Sequence, residues 1–337
     1  MSLNDKSTSQ KSTKDQVLEM LKENDHKYLS GQEIADTLYV TRAGVWKAIK
    51  SLRNQGYNID AISNRGYKLI ISNDLLISSH ITSYLNDDIK GTELIILDET
   101  HSTNDVARTK ALEGYDGNLI VISDYQTNGR GRRGRSFFSP KGCGLYISFL
   151  LHPNMDISKA THITCMTAVA LCHAISETTG LAAEIKWVND LYLSGKKIAG
   201  ILTEGYTSME TGKLEYVIVG TGINIYEPDG GYPEEISTTA GSLLTSVTPD
   251  IRNRICATFI NRFFNYYNHP SVSFLDDYRN LSCLVGHYVK QLNADKSEVD
   301  GRVYVRGIDD DFRLLITKED GTMDALSSGE VSIALDD

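Results

Sequence analysis

The sequence predicts an α+β chain built as a small helical N-terminal module, a central mixed α/β region and a short C-terminal β-barrel. Three observations carry this. Apolar residues recur at helical spacing between residues 15 and 55. From Leu94 onward, short and almost wholly apolar runs bounded by turn residues read as buried strands. From Gly286, still shorter runs alternate with turn signals at Gly307–Asp311 and Glu319–Thr322. The 337 residues allow two or three domains. We read residues 1–13 as a disordered polar tail, 14–72 as the first module, 73–280 as the central region and 281–337 as the last.

The first module holds three helical patterns. Asp15–Glu23 carries Val17, Leu18 and Leu21 on one face. Ser30 with Glu33 three residues on forms a capping box that starts a second helix through Ile34, Ala35 and Leu38. Thr41 caps a third helix running to Gln55, with Gly56 as stop and Val45, Ile49 and Leu52 as the buried stripe. Tyr57–Ala61 and Tyr67–Ile71 read as a hairpin around Ser-Asn-Arg-Gly. A linker at Ser72–Ser79 follows.

In the central region, Leu94–Leu97, Leu119–Ser123, Leu145–Leu151, Ile185–Trp187, Leu191–Leu193, Ile198–Thr203 and Tyr216–Ile225 read as strands. Ser158–Thr179 and Ile251–Tyr267 read as helices.

Composition narrows the function. Apolar residues make up 41% and charged residues 23%, ordinary for a chain with a sizeable core. The net charge of −10 argues against indiscriminate binding of nucleic acid. Residues 1–73 run the other way, with eleven Lys/Arg against eight Asp/Glu. Five cysteines without a C-x-x-C pair argue against a disulfide framework and suit a reducing cytoplasm. No apolar signal segment opens the chain, and the longest apolar stretch, at Leu145–Leu151, is far below the ~18 residues of a membrane helix. The expectation is a soluble, cytoplasmic protein with no membrane partner.

Four segments carry chemistry. Ser30–Ile49 has the helix–turn–helix layout whose second helix enters the major groove of DNA. With the apolar stripe turned inward, Ala43, Trp46, Lys47 and Lys50 face out, Thr41 and Arg42 stand at the helix start, and Arg65 and Lys68 sit on a flanking wing. A helical module for protein contacts is the competing reading; the hairpin and the local positive charge favour DNA. The run Gln126–Arg135 alternates Gly129, Gly131 and Gly134 with Arg130, Arg132, Arg133 and Arg135. Glycine lets backbone approach a ligand, and guanidinium suits phosphate or carboxylate. Its place after an apolar strand separates it from a disordered Arg/Gly segment, and it is no P-loop. Lys186 lies in a strand between Ile185 and Trp187; facing inward it needs an anion, facing outward only water. Gly220 and Gly222 interrupt a strand, a sign of close approach. The eight histidines show no metal-ligand spacing, so no tightly bound protein metal is expected, and His101 and His162 read as structural or surface residues. No G-x-S-x-G or other sign of a covalent nucleophile occurs.

Together these segments resemble the bifunctional biotin protein ligases that double as biotin operon repressors. The matching pieces are Ser102-Thr-Asn104, Gln126, the Arg130–Arg135 loop, Ser139-Pro-Lys-Gly142, Lys186-Trp-Val-Asn-Asp-Leu191, Ala199-Gly-Ile-Leu202 and Gly222-Ile-Asn224, in the family's order. The resemblance implies a winged helix-turn-helix, a central sheet of the biotin/lipoate ligase type and an SH3-like C-terminal barrel. It implies that biotin and Mg-ATP form biotinyl-5′-adenylate, which a lysine on the biotin carboxyl carrier domain of acetyl-CoA carboxylase or another carboxylase then attacks. Ser102, Thr103, Asn104, Gln126, Arg130, Gly131, Arg132 and Lys186 map to biotin contacts, with Arg132 and Lys186 as the catalytic pair. Gly220 and Gly222 would back the heterocycle, Asn224 would face the nucleotide, and Gly129, Arg133, Gly134 and Arg135 would let a flexible loop close over the adenylate. The adenylate would also be the corepressor, favouring a homodimer on operator DNA upstream of biotin genes. Two positions depart from the family pattern. Val188 stands for the usual proline, which we expect to preserve the strand. Asp229–Gly241 holds Tyr232 but no tryptophan to cover the adenine. A ligase without DNA binding and a ligand sensor without chemistry are the alternatives.

Overall fold

The computed structural model describes residues 12–24, 27–54, 57–70, 74–153, 155–207, 213–292, 298–327 and 332–335. The expected tail, the Gln55–Gly56 stop and Ile71 fall outside them, apart from Ser12 and Thr13. The chain divides into two compact units. One comprises the described residues up to His80 with Thr248–Asp250; the other comprises Ile81–Val247 and the chain from Ile251.

The first unit holds α1 (Thr13–Glu23), α2 (Gly31–Thr37), α3 (Arg42–Asn54) and an antiparallel hairpin of β1 (Ile59–Ile62) and β2 (Gly66–Leu69). The caps at Ser30 and Thr41 are those the sequence predicts, while the third, Ser12, lies in the stretch read as a tail. Ser12 Oγ accepts from Asp15 N, and Thr41 Oγ1 accepts from Gly44 N at 3.1 Å. Ser30 Oγ accepts from Glu33 N at 3.0 Å while the Glu33 carboxylate accepts from Ser30 N, the full capping box. Val17, Leu21, Ile34, Val45, Ile49 and Leu52 form the core with Ile59 and Leu69 of the hairpin. Removing each such side chain from water stabilises the unit by about 1.5–3 kcal/mol. Gly66 takes φ +109°, and a Cβ there would stand 2.1 Å from the Leu29 carbonyl oxygen.

The second unit is built on a seven-stranded sheet. Its strands are β3 (Glu93–Leu97), β4 (Leu119–Ser123), β5 (Gly144–Leu151), β6 (Glu184–Lys186), β7 (Asp190–Leu193), β8 (Lys196–Thr207) and β9 (Leu214–Asn224). They run in the order β3-β4-β5-β9-β8-β7-β6, with only β3 and β4 parallel. All of β4 and β5 is buried, as their largely apolar runs require. The helix expected from Ser158 begins as a 3₁₀ turn, Ile157–Lys159, and continues as α6 (Ala160–Thr179), ended by Gly180 at φ 73°. The last long helix, α8 (Ile251–Asn268), packs on α6, and its Phe263 ring stacks on Phe149 of β5 at 4.3 Å between centroids.

Four helices escape the sequence reading: α4 (Ser78–Tyr84), partly inside the expected linker, α5 (Thr103–Leu112), α7 (Glu234–Ser237) and α9 (Leu275–Asn280). Lys186 closes β6, and residues 187–189 form a tight turn, so Val188 lies in a turn rather than in the expected strand. The C-terminal strands β10 (Tyr288–Leu292), β11 (Glu298–Ile308), β12 (Leu314–Lys318), β13 (Met323–Leu326) and β14 (Ser332–Leu335) form an antiparallel sheet ordered β13-β12-β11-β10-β14. Among the described residues no ladder joins β13 to β14, and what is described of the expected SH3-like barrel is a small five-stranded sheet. No helix among the described residues is long and apolar enough to cross a membrane.

Candidate active site and nucleic-acid face

A cavity of about 510 Å³ gathers the segments singled out above. Ser102, Thr103, Asn104, Gln126, Arg130, Gly131, Arg132, Arg133, Arg135, Lys186, Gly220 and Gly222 all line it. Gly129, Gly134 and Asn224 do not appear on its wall; the Asn224 amide instead donates to the Gly241 carbonyl at 3.0 Å.

The floor begins at the start of α5. Thr103 N–H donates to Gln126 Oε1 at 2.9 Å, and Gln126 Nε2 donates to Ser139 Oγ at 3.0 Å. Ser148 Oγ in β5 bonds Thr103 Oγ1 and Asn104 Oδ1 at 2.7 and 2.6 Å, and Asn104 Nδ2 donates to Glu204 at 2.7 Å. These buried polar groups are thus held by one another, as low dielectric demands. The glycines of β9 serve this arrangement. A Cβ on Gly220 would stand 2.2 Å from Asn104 Oδ1, and one on Gly222 would stand 2.4 Å from the Phe137 ring.

The Gly/Arg loop folds back on itself. Gly131 N donates to the Arg135 carbonyl at 2.7 Å, and Phe137 N donates to the Gly129 carbonyl at 2.8 Å. Its tip, Arg132–Gly134, is a 3₁₀ turn with Arg133 at φ 57° and Gly134 at φ 70°. Left-handed backbone is natural for Gly134 and uncommon for Arg133. Gly131 is extended, and Gly129 is required for space, since a Cβ would meet the Phe137 carbonyl at 2.4 Å.

The guanidinium groups have different neighbours. Arg130 pairs with Asp105, which also binds Arg108; the Arg130 Nε is buried with no hydrogen-bond partner among the described residues. Such an atom is costly unless an acceptor reaches it, so it suits a ligand carbonyl or carboxylate. Arg132 Nη1 donates to Asn189 Oδ1 at 3.0 Å, and Asn189 Nδ2 in turn donates to the Ile201 carbonyl at 2.9 Å. Burial, with Arg133 alongside, lowers the Arg132 pKa against the pull of Asp190.

Lys186 lines the cavity with its Nζ 3.4 Å from the Tyr192 hydroxyl and 5.0 Å from that ring's centre. Burial, with Asp190 nearby, pushes the Tyr192 phenol up to about 12. Lys197 pairs with Asp190 at 2.7 Å. Behind Lys186, the Trp187 indole N–H donates to the Phe312 carbonyl in the β11–β12 turn at 2.8 Å. On the far wall, α7 contributes Glu235 and Ile236, with Thr239 just beyond. Tyr232, the aromatic noted in that segment, bonds Gly241 and Ser242 instead. Phe137, Asn189, Asp190, Tyr192 and Ile236 were not singled out from sequence; only their place in Lys186-Trp-Val-Asn-Asp-Leu191 signalled Asn189 and Asp190. Among the described residues no group of three or more His, Cys, Asp or Glu could hold a metal ion.

In the N-terminal unit, Ala43, Trp46, Lys47 and Lys50 are all exposed, as expected with the apolar stripe turned inward, and so are Thr41 and Arg42 at the helix start. Trp46 is 55% exposed, far more than a core indole, and Lys50 lies over its ring at 5.3 Å. Arg65 is exposed at the wing tip, and Lys68 is half-buried on β2. Net-positive, outward-facing α3 plus a wing is the layout of a major-groove reader.

A charged cavity joining an Arg/Gly loop to a strand-borne lysine, in a chain that also carries a winged helix-turn-helix, defines an acid-activating ligase with a DNA-binding module. The matching family models are the biotin/lipoate A/B protein ligase family over residues 96–224 and an HTH domain over residues 13–68. The chain is 31% identical over 312 residues to the bifunctional ligase/repressor BirA of Bacillus subtilis (strain 168), spanning 90% of this chain and 94% of that protein. It is 28% identical to BirA of Escherichia coli (strain K12), over 90% and 92% of the two chains. A solved biotin protein ligase from Aquifex aeolicus, in complex with biotin and ATP, superposes with a TM-score of 0.58 at 26% identity, covering 72% of this chain and 99% of that one. The chain belongs to the family of bifunctional biotin protein ligases and repressors.

Proposed function

We infer that the protein is an ATP-dependent biotin protein ligase that also represses transcription in response to biotin. The observation that carries the reading is the convergence of Arg130, Arg132 and Lys186 on one cavity floored by Ser102–Asn104 and Gln126.

The first step joins two anions. A biotin carboxylate oxygen attacks the α-phosphorus of ATP, the bond to the bridging oxygen breaks, and pyrophosphate leaves. Arg132 and Lys186 neutralise the carboxylate and the developing charge at phosphorus, so that positioning and electrostatics supply the catalysis. Mg²⁺ enters with ATP and screens the other phosphates. Ser102, Thr103, Asn104 and Gln126 present fixed polar atoms to the biotin head, and Arg130 offers its unpartnered Nε. The loop from Gly129 to Arg135 walls the reactive adenylate from water. In the second step a lysine amine of a carboxylase carrier domain attacks the mixed anhydride, an amide forms and AMP leaves. The C-terminal sheet, from about residue 281, supports the cavity through the Trp187–Phe312 bond.

The module spanning residues 14–72 supplies repression. The adenylate is the corepressor, and a homodimer places two winged helices on a two-fold-symmetric operator upstream of biotin genes. Thr41, Arg42, Ala43, Trp46, Lys47 and Lys50 meet the groove, and Arg65 and Lys68 meet the backbone. The net charge of −10 leaves the rest of the chain repelling DNA, so operator binding depends on these few cations.

The test is incubation with biotin, Mg-ATP and a purified carrier domain. Pyrophosphate release and one biotinyl group added per carrier, read by mass spectrometry, are expected. Absence of both would leave only a ligand-sensing repressor. A gel shift on DNA from upstream of biotin genes, with and without biotin and ATP, separates the repressor from a ligase that does not bind DNA.

A further inference from the structure

Register across the wing brings three side chains into one row. Leu29 bridges Tyr67 of β2 through two backbone hydrogen bonds of 2.8 Å, and Asp60 of β1 lies opposite Lys68. Tyr28, one residue before the bridge, therefore comes level with Lys68 on the other flank of β2. Its hydroxyl donates to Asp60 Oδ2 at 2.6 Å, while Asp60 Oδ1 accepts from Ala61 N at 2.8 Å. The Arg65 guanidinium and the Lys68 ammonium each lie 6.0 Å from the centre of the Tyr28 ring.

We propose that Tyr28 is a positioning residue for DNA binding: its ring seats both wing cations, and its hydroxyl occupies Asp60, leaving Lys68 for a backbone phosphate. Opposite charges facing each other across a strand pair attract. An unoccupied Asp60 would draw Lys68 to itself and cancel one of the few positive charges facing DNA. A cation on an aromatic face keeps its outward side open to phosphate. Lys50 over Trp46 repeats the device on the recognition helix. The inference rests on reading this module as DNA-binding.

The experiment follows binding of the full chain, with biotin and Mg-ATP, to a fluorescent duplex from upstream of the biotin genes, across a salt series. Tyr28→Phe keeps the ring and frees Asp60. It is expected to weaken binding about three- to tenfold and to flatten the slope of log affinity against log salt by about one phosphate contact. Adding Asp60→Asn to Tyr28→Phe is expected to restore slope and affinity. Tyr28→Leu, which also removes the ring, is expected to bind more weakly than Tyr28→Phe. Ligation is expected to be unchanged in all three. Wild-type binding with an unaltered slope in Tyr28→Phe, or failure of Asp60→Asn to restore it, would overturn this inference alone. Failure of the wild-type chain to bind would overturn the DNA-binding reading and the inference with it.

Discussion

Arg132 Nη1 donates to Asn189 Oδ1 at 3.0 Å, tying the tip of the Gly/Arg loop to the turn that follows Lys186. Two segments 57 residues apart thus share one anchor. Arg132→Ala removes both the charge and this tie. Adenylate dissociation is expected to accelerate about 10–10²-fold, the usual cost of losing a charge-assisted hydrogen bond to a bound anion. A stopped chase of labelled biotinyl-adenylate measures it; an unchanged off-rate refutes the role.

Lys186→Ala is expected to slow adenylate formation by about 10²–10³-fold, read as pyrophosphate release. Transfer from adenylate supplied ready-made is expected to suffer less, because the anion–anion encounter is already past. Near-normal pyrophosphate release would remove Lys186 from the mechanism.

Gly220→Ala places a methyl 2.2 Å from Asn104 Oδ1, an atom also held by Ser148. Overpacking of this kind costs about 1–3 kcal/mol. Lower thermal stability and at least a tenfold loss of biotin affinity by calorimetric titration are the expected results, since Asn104 must leave the floor.

Lys47→Ala is expected to weaken operator binding and reduce the salt slope by about one, with ligation spared. The wild-type affinity itself, with roughly 6–10 phosphates contacted, is expected to fall ~10³–10⁵-fold between about 50 and about 200 mM salt. A flat salt response would argue against DNA binding, and equal damage to ligation would mean the two modules are not separable.

The alkaline limb of stability carries a signature of burial. Burial pushes the Tyr192 and Tyr267 phenols up to about 12 from an ordinary 10. A folded-state value above the unfolded one contributes stability in full below pH 10, lost as pH rises toward 12. Tyrosinate absorbance and circular dichroism against pH are expected to move together in that window. Tyr192→Phe is expected to delay the loss.

Much of the site was legible in sequence because its chemistry is written in unusual local patterns: arginines alternating with glycines after an apolar strand, and a lysine inside one. The N-terminal module was legible because Ser30 and Thr41 cap helices whose apolar stripes are clean; the Ser12 cap was hidden in a polar stretch that reads as a tail. Helix α5 was hidden because its buried face begins with Thr103 and Asn104, polar residues satisfied only by Gln126, Ser148 and Glu204 far along the chain. Helix α4 buries only Ile81, too little for a periodic signal. Asp105, Phe137 and Ile236 acquire their roles only when distant strands meet, and no spacing rule reaches that far.

The Phe312 carbonyl that receives the Trp187 indole lies 125 positions downstream of it. During synthesis, the strand bearing Lys186 leaves the ribosome long before its brace exists. A nascent or truncated polypeptide ending short of the β11–β12 turn holds every loop and lysine of the cavity without the strut behind them.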